Sequence, residues 1–518
     1  MRTGSAHPAQ IFRSSATQRF RCLAFTLVIV LASLLSAESA APKLDAFEPA
    51  GGQAGTTNQI LSVGKIGAWP VEIWCDETGI KFTAAKKKNY FDVAIEKAVK
   101  PGPYLVRIHS KDGASPTTIF VVSNQPETLE KEPNGTISEA TPIEKLPVVI
   151  NGRLSKTGDT DFFRLKLKKG QTIVASLDGY SLGSLIDPFI HLYDPEGYDI
   201  ALASDTHNID PFLLHTVDRD GTYALQVFAI DHKASVDVSF SGNGNAVYRM
   251  TVTTAGNRRI GKPFTAKVKE AGEKKDGIQK LKVPASVSGT VLKKGERDRY
   301  SFPAKKGEQF LVRVESHTLH YPLDPVLVIN RPDGRLLREV DDTKPNRDAE
   351  YLVKASQDGD HVVEISDLFR RGNPDFRYRL SIAKPVPSLE ATIDKDVFEL
   401  KAGKTVDLKL KLTLKNSHAT ALKAMFSKLP EGVTVESAEI KAKSKTATVK
   451  LKAAKNVATA SVPFRMELLE TADRKRKFHV TRTFITGDSR GDYLLNGTPW
   501  LWLTVTAEKV AEKKQSKK

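Results

Sequence analysis

Apolar and polar positions alternate with a period of two along nearly the whole chain. The stretches YLVRIHS, DFFRLKLKKG, QTIVASL, YALQVFAI, FLVRVES, HVVEIS, KTVDLKLKLTLK and ATVKLKA share this pattern. In FRLKLK and VDLKLKL every second residue is apolar and those between are lysine or another polar group, as in a strand with one face in a core and one in water. The breaks carry turn chemistry: KKGQ, YDPEG, DRDG, RPDG, SQDG and KAGK. Long helical periodicity is missing outside an N-terminal apolar run and the last dozen residues. The pattern predicts an all-β chain of serial β-sandwiches.

An internal repeat organises the middle of the chain. A shift of 137 residues lays residues 152–205 over 289–342 without a gap. GDTDFF falls on GERDRY, LKKGQ on AKKGE, Asp187-Pro188 on Asp324-Pro325, and DPEG on RPDG. With one residue inserted, RDGTYALQV falls on QDGDHVVEI, and the closing strands match as AVYRMTV and DFRYRLSI. Matches at turns and strand starts point to duplication of a whole module. A unit of about 110 residues is one sandwich and too long for a solenoid repeat.

In these residues both units resemble the bacterial pre-peptidase C-terminal (PPC) domain. That family has a Gly-x-x-Asp-x-(Phe/Tyr) strand, a Lys-x-Gly turn, an Asp-Pro strand leading to a Pro-x-Gly hairpin, and an Asp-Gly-x-Tyr strand. The first unit carries all of these, and the second has His361 where the tyrosine is expected. The resemblance implies jelly-roll-like sandwiches of the kind found beside secreted peptidases and in extracellular modular proteins. Residues 44–122, with PAGGQAGTTNQILSVG, VKPGPYLVRI and ASPTTIFVV, resemble an IPT/TIG-type immunoglobulin-like module. Residues 389–505, with FELKAGKTVDLKLKL and LPEGVTV, resemble the immunoglobulin-like domains that end many bacterial surface proteins.

The expected organisation is a signal peptide at 1–41, an immunoglobulin-like domain at 42–124 and the first PPC-like domain at 125–256. A linker at 257–279, the second PPC-like domain at 280–384, a C-terminal immunoglobulin-like domain at 385–508 and a basic tail at 509–518 follow. The signal rests on Arg2, Arg13, Arg19 and Arg21, then an apolar run at 22–35, then the small residues SAESAAP. The run is short for a membrane span, which needs roughly 20 apolar residues. Retention as an uncleaved anchor remains the alternative. The chain is therefore expected to be secreted, periplasmic or at the cell surface.

Charge and cysteine content narrow the picture. The formal net charge is +17, and loss of the leader, with four arginines and one glutamate, lowers it to +14. Cys75 is then the only cysteine, so no disulfide closes within the mature chain and each module depends on its own core. The basic balance suits an anionic surface, but the lysines are scattered, and lysines on strands commonly keep sheet edges soluble. Both readings stay open, and nothing points to specific nucleic-acid recognition. Nucleophile-elbow, His-Glu-x-x-His and phosphate-cradling glycine motifs are absent. The eleven histidines are dispersed, with His109 and His191 at strand positions. The chain reads as a non-catalytic binder of an extracellular polysaccharide or protein. The alternative is an accessory chain of a secreted peptidase or other hydrolase system.

One constellation suggests a metal. Glu130, Glu132 and Asn134 alternate along an extended approach to the first PPC-like unit, so their oxygens can point the same way. Asp159 and Asp161 open the next strand, and hard oxygen ligands with several carboxylates suit Ca²⁺. The resemblance implies the same use, because PPC-like domains of secreted collagenases bind calcium through an acidic Glu-x-Glu-x-Asn linker. Gly135 departs from that pattern by replacing a further acidic ligand. The competing reading is an acidic linker that binds nothing, with Asp161 capping a turn. In the second unit Glu296 and the lysine-rich IQKLKVPASV replace the acidic approach, so calcium is expected in the first unit alone. Asp187 and Asp324, each before proline, read as strand-start residues. Tyr180, Tyr193 and Tyr198 are candidates for exposed aromatic contacts.

Overall fold

The computed structural model describes residues 41–184, 186–206, 209–230, 240–254, 268–269, 277–319, 321–343, 347–473, 475–488 and 491–507. The expected leader and basic tail lie outside these residues. Regular structure among the described residues is strand, with short 3-10 turns, and no helix is long and apolar enough to cross a membrane.

The first module is a sandwich of two sheets. One runs in the order Lys43–Glu48, Thr57–Lys65, Tyr90–Ile95, Ile80–Ala84. The other runs Gly51–Gln53, Thr118–Ser123, Gly102–Ser110, Glu72–Cys75. Alternation places Phe47, Phe91, Val93, Val106, Ile108 and Phe120 between them. Each such side chain, moved fully out of water, contributes about 1.5–3 kcal/mol.

The two repeats have the same strand order. The first has one sheet of Glu127–Leu129, Val148–Arg153, Val247–Thr254, Thr172–Asp178 and Phe212–Thr216. Its second sheet is Thr141–Ile143, Asp161–Leu167, Gly221–Ala229, Pro188–Tyr193 and Asp199–Ala203. The second repeat pairs Val268–Lys269, Ala285–Thr290, Arg377–Ala383, Gln309–Glu315 and Ala349–Lys354 in one sheet. Ile278–Lys280, Asp298–Ala304, Gly359–Asp367, Pro325–Asn330 and Leu336–Val340 make the other. In both repeats two short leading strands add in parallel to otherwise antiparallel sheets. This corrects the linker expected at 257–279, because Val268–Lys269 and Ile278–Lys280 are strands of the second sandwich. Pairing over two and three residues leaves too short a period-two signal to read. The repeated Lys-Lys-Gly turns need a left-handed residue, and Gly170 and Gly307 supply it at φ 80° and 87°.

The last module has a sheet of Ser388–Ile393, Thr405–Lys415, Thr446–Ala453 and Val433–Ser437. It packs on Val397–Lys401, Trp500–Thr506, Ala460–Glu470 and Leu422–Ser427. This module meets the first one: Arg107, 1% exposed, donates to Asp396 at 2.6 Å, and Trp74 lies 5.3 Å from Trp500.

Candidate functional site

The start of the first repeat gathers an oxygen cluster. Asp161 is the first residue of Asp161–Leu167, so its position is set by pairing with Val227 across the sheet. Asp159 lies in the turn before it. The segment 130–134 crosses this end of the sandwich, anchored where the Phe162 amide donates to the Asn134 carbonyl at 2.8 Å. Carboxylate oxygens of Glu132, Asp159 and Asp161 all lie within 4.8 Å of one another. Asp159, Asp161 and Asn134 are buried, and Glu132 is exposed.

Asn134 completes the group. Its side-chain oxygen faces Glu132 Oε2 and Asp161 Oδ1, each 3.1 Å away. Exchanging the amide O and N would make two hydrogen bonds, whereas a central cation would use the oxygen as it stands. Among the described residues no lysine or arginine forms an ion pair with Glu130, Glu132, Asp159 or Asp161. Two ionised carboxylates about 5 Å apart repel by about 3 kcal/mol at an effective dielectric of about 20. Such a cluster favours either retained protons or a cation.

Glu130 takes a different place from its neighbours. Its Oε1 accepts the Arg153 amide at 2.9 Å, and its Oε2 accepts from the Tyr248 hydroxyl at 3.3 Å. That hydroxyl also donates to Asp161 Oδ2 at 2.6 Å. Burial and then the Asp161 charge push the Glu130 carboxyl up, and burial pushes Asp161 up. Glu130 therefore holds the Tyr248–Asp161 pair, while Glu132, Asp159 and Asp161 bring carboxylate oxygens within 4.8 Å of one another beside the Asn134 amide. The turn-capping role expected for Asp161 belongs to Asp159, whose Oδ2 accepts from the Ser155 amide and hydroxyl.

The second repeat keeps the frame, and among its described residues no such cluster forms. Tyr378 donates to Asp298 at 2.6 Å, matching Tyr248 and Asp161, and Glu296 caps the turn through the Leu292 and Lys293 amides. The Tyr378 hydroxyl also lies 2.6 Å from that of Tyr300. The pairing of Val268–Lys269 makes 270–276, not IQKLKVPASV, the counterpart of 130–134, and that stretch lies outside the described residues.

The other candidates sort by burial. Tyr180 is buried in a 3-10 turn and Tyr193 is half-buried, donating to Gln226 at 2.9 Å. Only Tyr198, 70% exposed, has the open position expected of the three. Asp187 and Asp324 are buried where their strands begin, and burial pushes the Asp324 carboxyl up to about 6 against the pull of Arg347 at 3.7 Å. The Cys75 thiol is pushed up to about 12 by burial, which keeps it protonated and unreactive near neutral pH.

Sequence reasoning missed two features. Asp210 accepts the Gly179, Tyr180 and Ser181 amides, and Asp348 does the same for Ser316, His317 and Thr318. Tyr248 and Tyr378 hold the strand-start aspartates. Recurrence of an aspartate and a tyrosine at matching places in both units was the available signal.

No family model matches the chain. A probable subtilase-type serine protease of Deinococcus radiodurans is 33% identical over 98 residues, which is 18% of this chain and 14% of that protein. Among solved structures, the pre-peptidase C-terminal domain of a Bacillus anthracis collagenase is similar at 13% identity, over 21% of this chain and 99% of that one, with a TM-score of 0.17. SGBP-B of the Bacteroides ovatus mixed-linkage glucan utilization locus, solved with a mixed-linkage heptasaccharide, is 12% identical over 67% and 76% of the two chains, with a TM-score of 0.15. An I-band fragment of titin is 8% identical over 90% and 99%, also with a TM-score of 0.15. Over the described residues the chain is an all-β string of sandwiches, the two central ones sharing one strand order.

Proposed function

We propose that this is an exported, non-catalytic binding protein, whose sandwiches hold an extracellular or surface polymer and whose first PPC-like unit is stiffened by calcium. The observation that supports the reading is the convergence of Glu132, Asp159 and Asp161 carboxylate oxygens, with the Asn134 amide beside them and no cationic side chain paired to them among the described residues. Three carboxylates and an amide oxygen are hard ligands, and backbone carbonyls and water complete the six to eight that Ca²⁺ takes. Calcium would neutralise a cluster that otherwise repels itself, and would tie the 130–134 segment to the strand it crosses. A cation of this kind fixes structure, and binding falls to the sandwich faces.

The test is thermal melting of the full chain with calcium or with chelator. At a hundredfold excess over its dissociation constant, calcium should add about 2.7 kcal/mol. The shift should vanish in Glu132→Ala with Asp161→Ala and survive Glu296→Ala. A calcium shift that persists in the double variant removes the site. A glycan and protein array, read with and without calcium, tests the binding role.

A second reading, an accessory chain of a secreted hydrolase system, is favoured by the stretch similar to the Deinococcus protease. Co-purification with a serine protease would support it.

A further inference from the structure

The C-terminal sandwich turns a lysine-rich face to solvent. Along Thr405–Lys415 the residues Lys409, Lys411 and Lys415 are exposed while Leu408, Leu410 and Leu412 are buried. On the neighbouring Thr446–Ala453 strand Lys450 and Lys452 are exposed in the same way, and Lys441, Lys443 and Lys445 crowd the turn leading to it. Register sets Lys409 opposite Thr448 and Lys411 opposite Thr446. Along Thr405–Lys415 successive outward residues are spaced by the two-residue rise of about 7 Å, and Lys409 and Lys411 each have a threonine beside them on the next strand.

Edge protection does not explain this face. Thr405–Lys415 lies between Ser388–Ile393 and Thr446–Ala453, and Thr446–Ala453 is flanked in turn by Val433–Ser437. Both lysine-bearing strands are therefore interior. The strand beyond them, VTVES, has no lysine, although sheet edges are where guarding charges are needed. Acidic neighbours balance only part of the charge. Asp407 pairs with Lys450, Glu436 with Lys452 and Glu390 with Lys415. Lys409, Lys411 and Lys445 have no ion-pair partner among the described residues. These three, with Thr413, Thr446 and Thr448, line a shallow groove of about 700 Å³ that also holds one carboxylate, Asp394, so the cations outnumber it three to one.

We propose that this face docks an acidic polysaccharide, with Lys409, Lys411 and Lys445 meeting its carboxylate or sulfate groups and the threonine hydroxyls meeting its sugar hydroxyls. The proposal rests on the binding-protein reading and adds the polymer's chemistry and the surface that takes it. A nucleic-acid strand is disfavoured because the outward residues of these strands include no aromatic ring on which a base could stack. A bilayer is disfavoured because no large apolar side chain projects from the face to enter it.

The experiment is retention of the full chain on immobilised polygalacturonate and heparin at low salt. Neutral mixed-linkage glucan, double-stranded DNA and anionic phospholipid vesicles are the comparison arms. Retention on the acidic polysaccharides should fall steeply with salt, and Lys409→Glu with Lys411→Glu should weaken it at least tenfold. Lys409→Gln with Lys411→Gln should weaken it less. Lys86→Glu with Lys88→Glu, the same charge change on exposed residues of the first module, should leave it within about twofold, which separates a local face from net charge. Unchanged melting of the Lys409/Lys411 variants shows that they fold. Equal losses in the first-module variant, or stronger retention on DNA or vesicles, overturn the proposal. Retention on neutral glucan alone overturns it and leaves the binding-protein reading standing; retention on no polymer overturns both.

Discussion

The two central repeats share one frame and differ at one end of it. In each, a tyrosine on the closing strand holds the aspartate that starts a facing strand: Tyr248 with Asp161 and Tyr378 with Asp298. In each, a second aspartate gathers three backbone amides of a 3-10 turn. The first repeat then surrounds its tyrosine–aspartate pair with Glu130, Glu132, Asn134 and Asp159. Among the described residues of the second, the hydroxyl of Tyr300 meets that of Tyr378, where the first repeat has Phe163 in place of Tyr300. A phenol adds no charge, whereas the gathered carboxylates of the first repeat repel one another.

The largest effect that should treat both repeats alike is removal of the turn-holding carboxylates. Asp210→Ala and Asp348→Ala each strand three amides beside a buried turn, and each should cost about 3 kcal/mol or more. Denaturant melts of the full chain measure this, and a large loss in only one variant would break the equivalence of the frames.

Smaller, and more discriminating, is the effect of a methyl group beside the tyrosines. A Cβ on Gly152 would lie 2.3 Å from the Tyr248 ring and 2.6 Å from Glu130 Oε2, and one on Gly289 would lie 2.2 Å from the Tyr378 ring. Gly152→Ala and Gly289→Ala should each cost about 1–3 kcal/mol by overpacking. Only Gly152→Ala should also weaken calcium binding, because it displaces the glutamate behind the cluster. Calorimetry with added calcium separates the two.

The smallest expected difference is in pH response. Asp178, half-buried near Asp210, is pushed up to about 7 by loss of solvent around the carboxyl and then by that charge. A folded-state value above the unfolded one means that the folded chain binds the proton more tightly. Its contribution to stability is complete below about 4 and is lost as pH rises through about 7. With chelator present, the melting temperature of the wild type should fall over this range more than that of Asp178→Asn. Equal slopes would remove Asp178 from the account.

Much of the fold was legible in the sequence because many strands bury one face and expose the other. FRLKLK and VDLKLKL declare a strand and its inward side, since the side-chain period of two admits no other burial. The shift of 137 residues declared two copies of one module, and Lys-Lys-Gly declared turns that need a left-handed glycine. The oxygen cluster was legible in its residue types, because two short oxygen-rich stretches, 130–134 and 159–161, lie before and at the start of one strand.

Alternation states which side of a strand faces inward and says nothing about which strand lies beside it. The tertiary structure alone therefore decided that Tyr248, 87 residues from Asp161, would hold it, and that Glu130 would turn back to brace the pair. Tertiary pairing also brought Arg107 to Asp396 across 289 residues, joining the first module to the last. The lysines of Thr405–Lys415 show the limit most directly. Their exposure could be read from the pattern, but their place on an interior strand, where no edge needs guarding, depends on the pairing of Ser388–Ile393, Thr405–Lys415 and Thr446–Ala453, and backbone hydrogen bonds between distant segments carry no local signature in the chain.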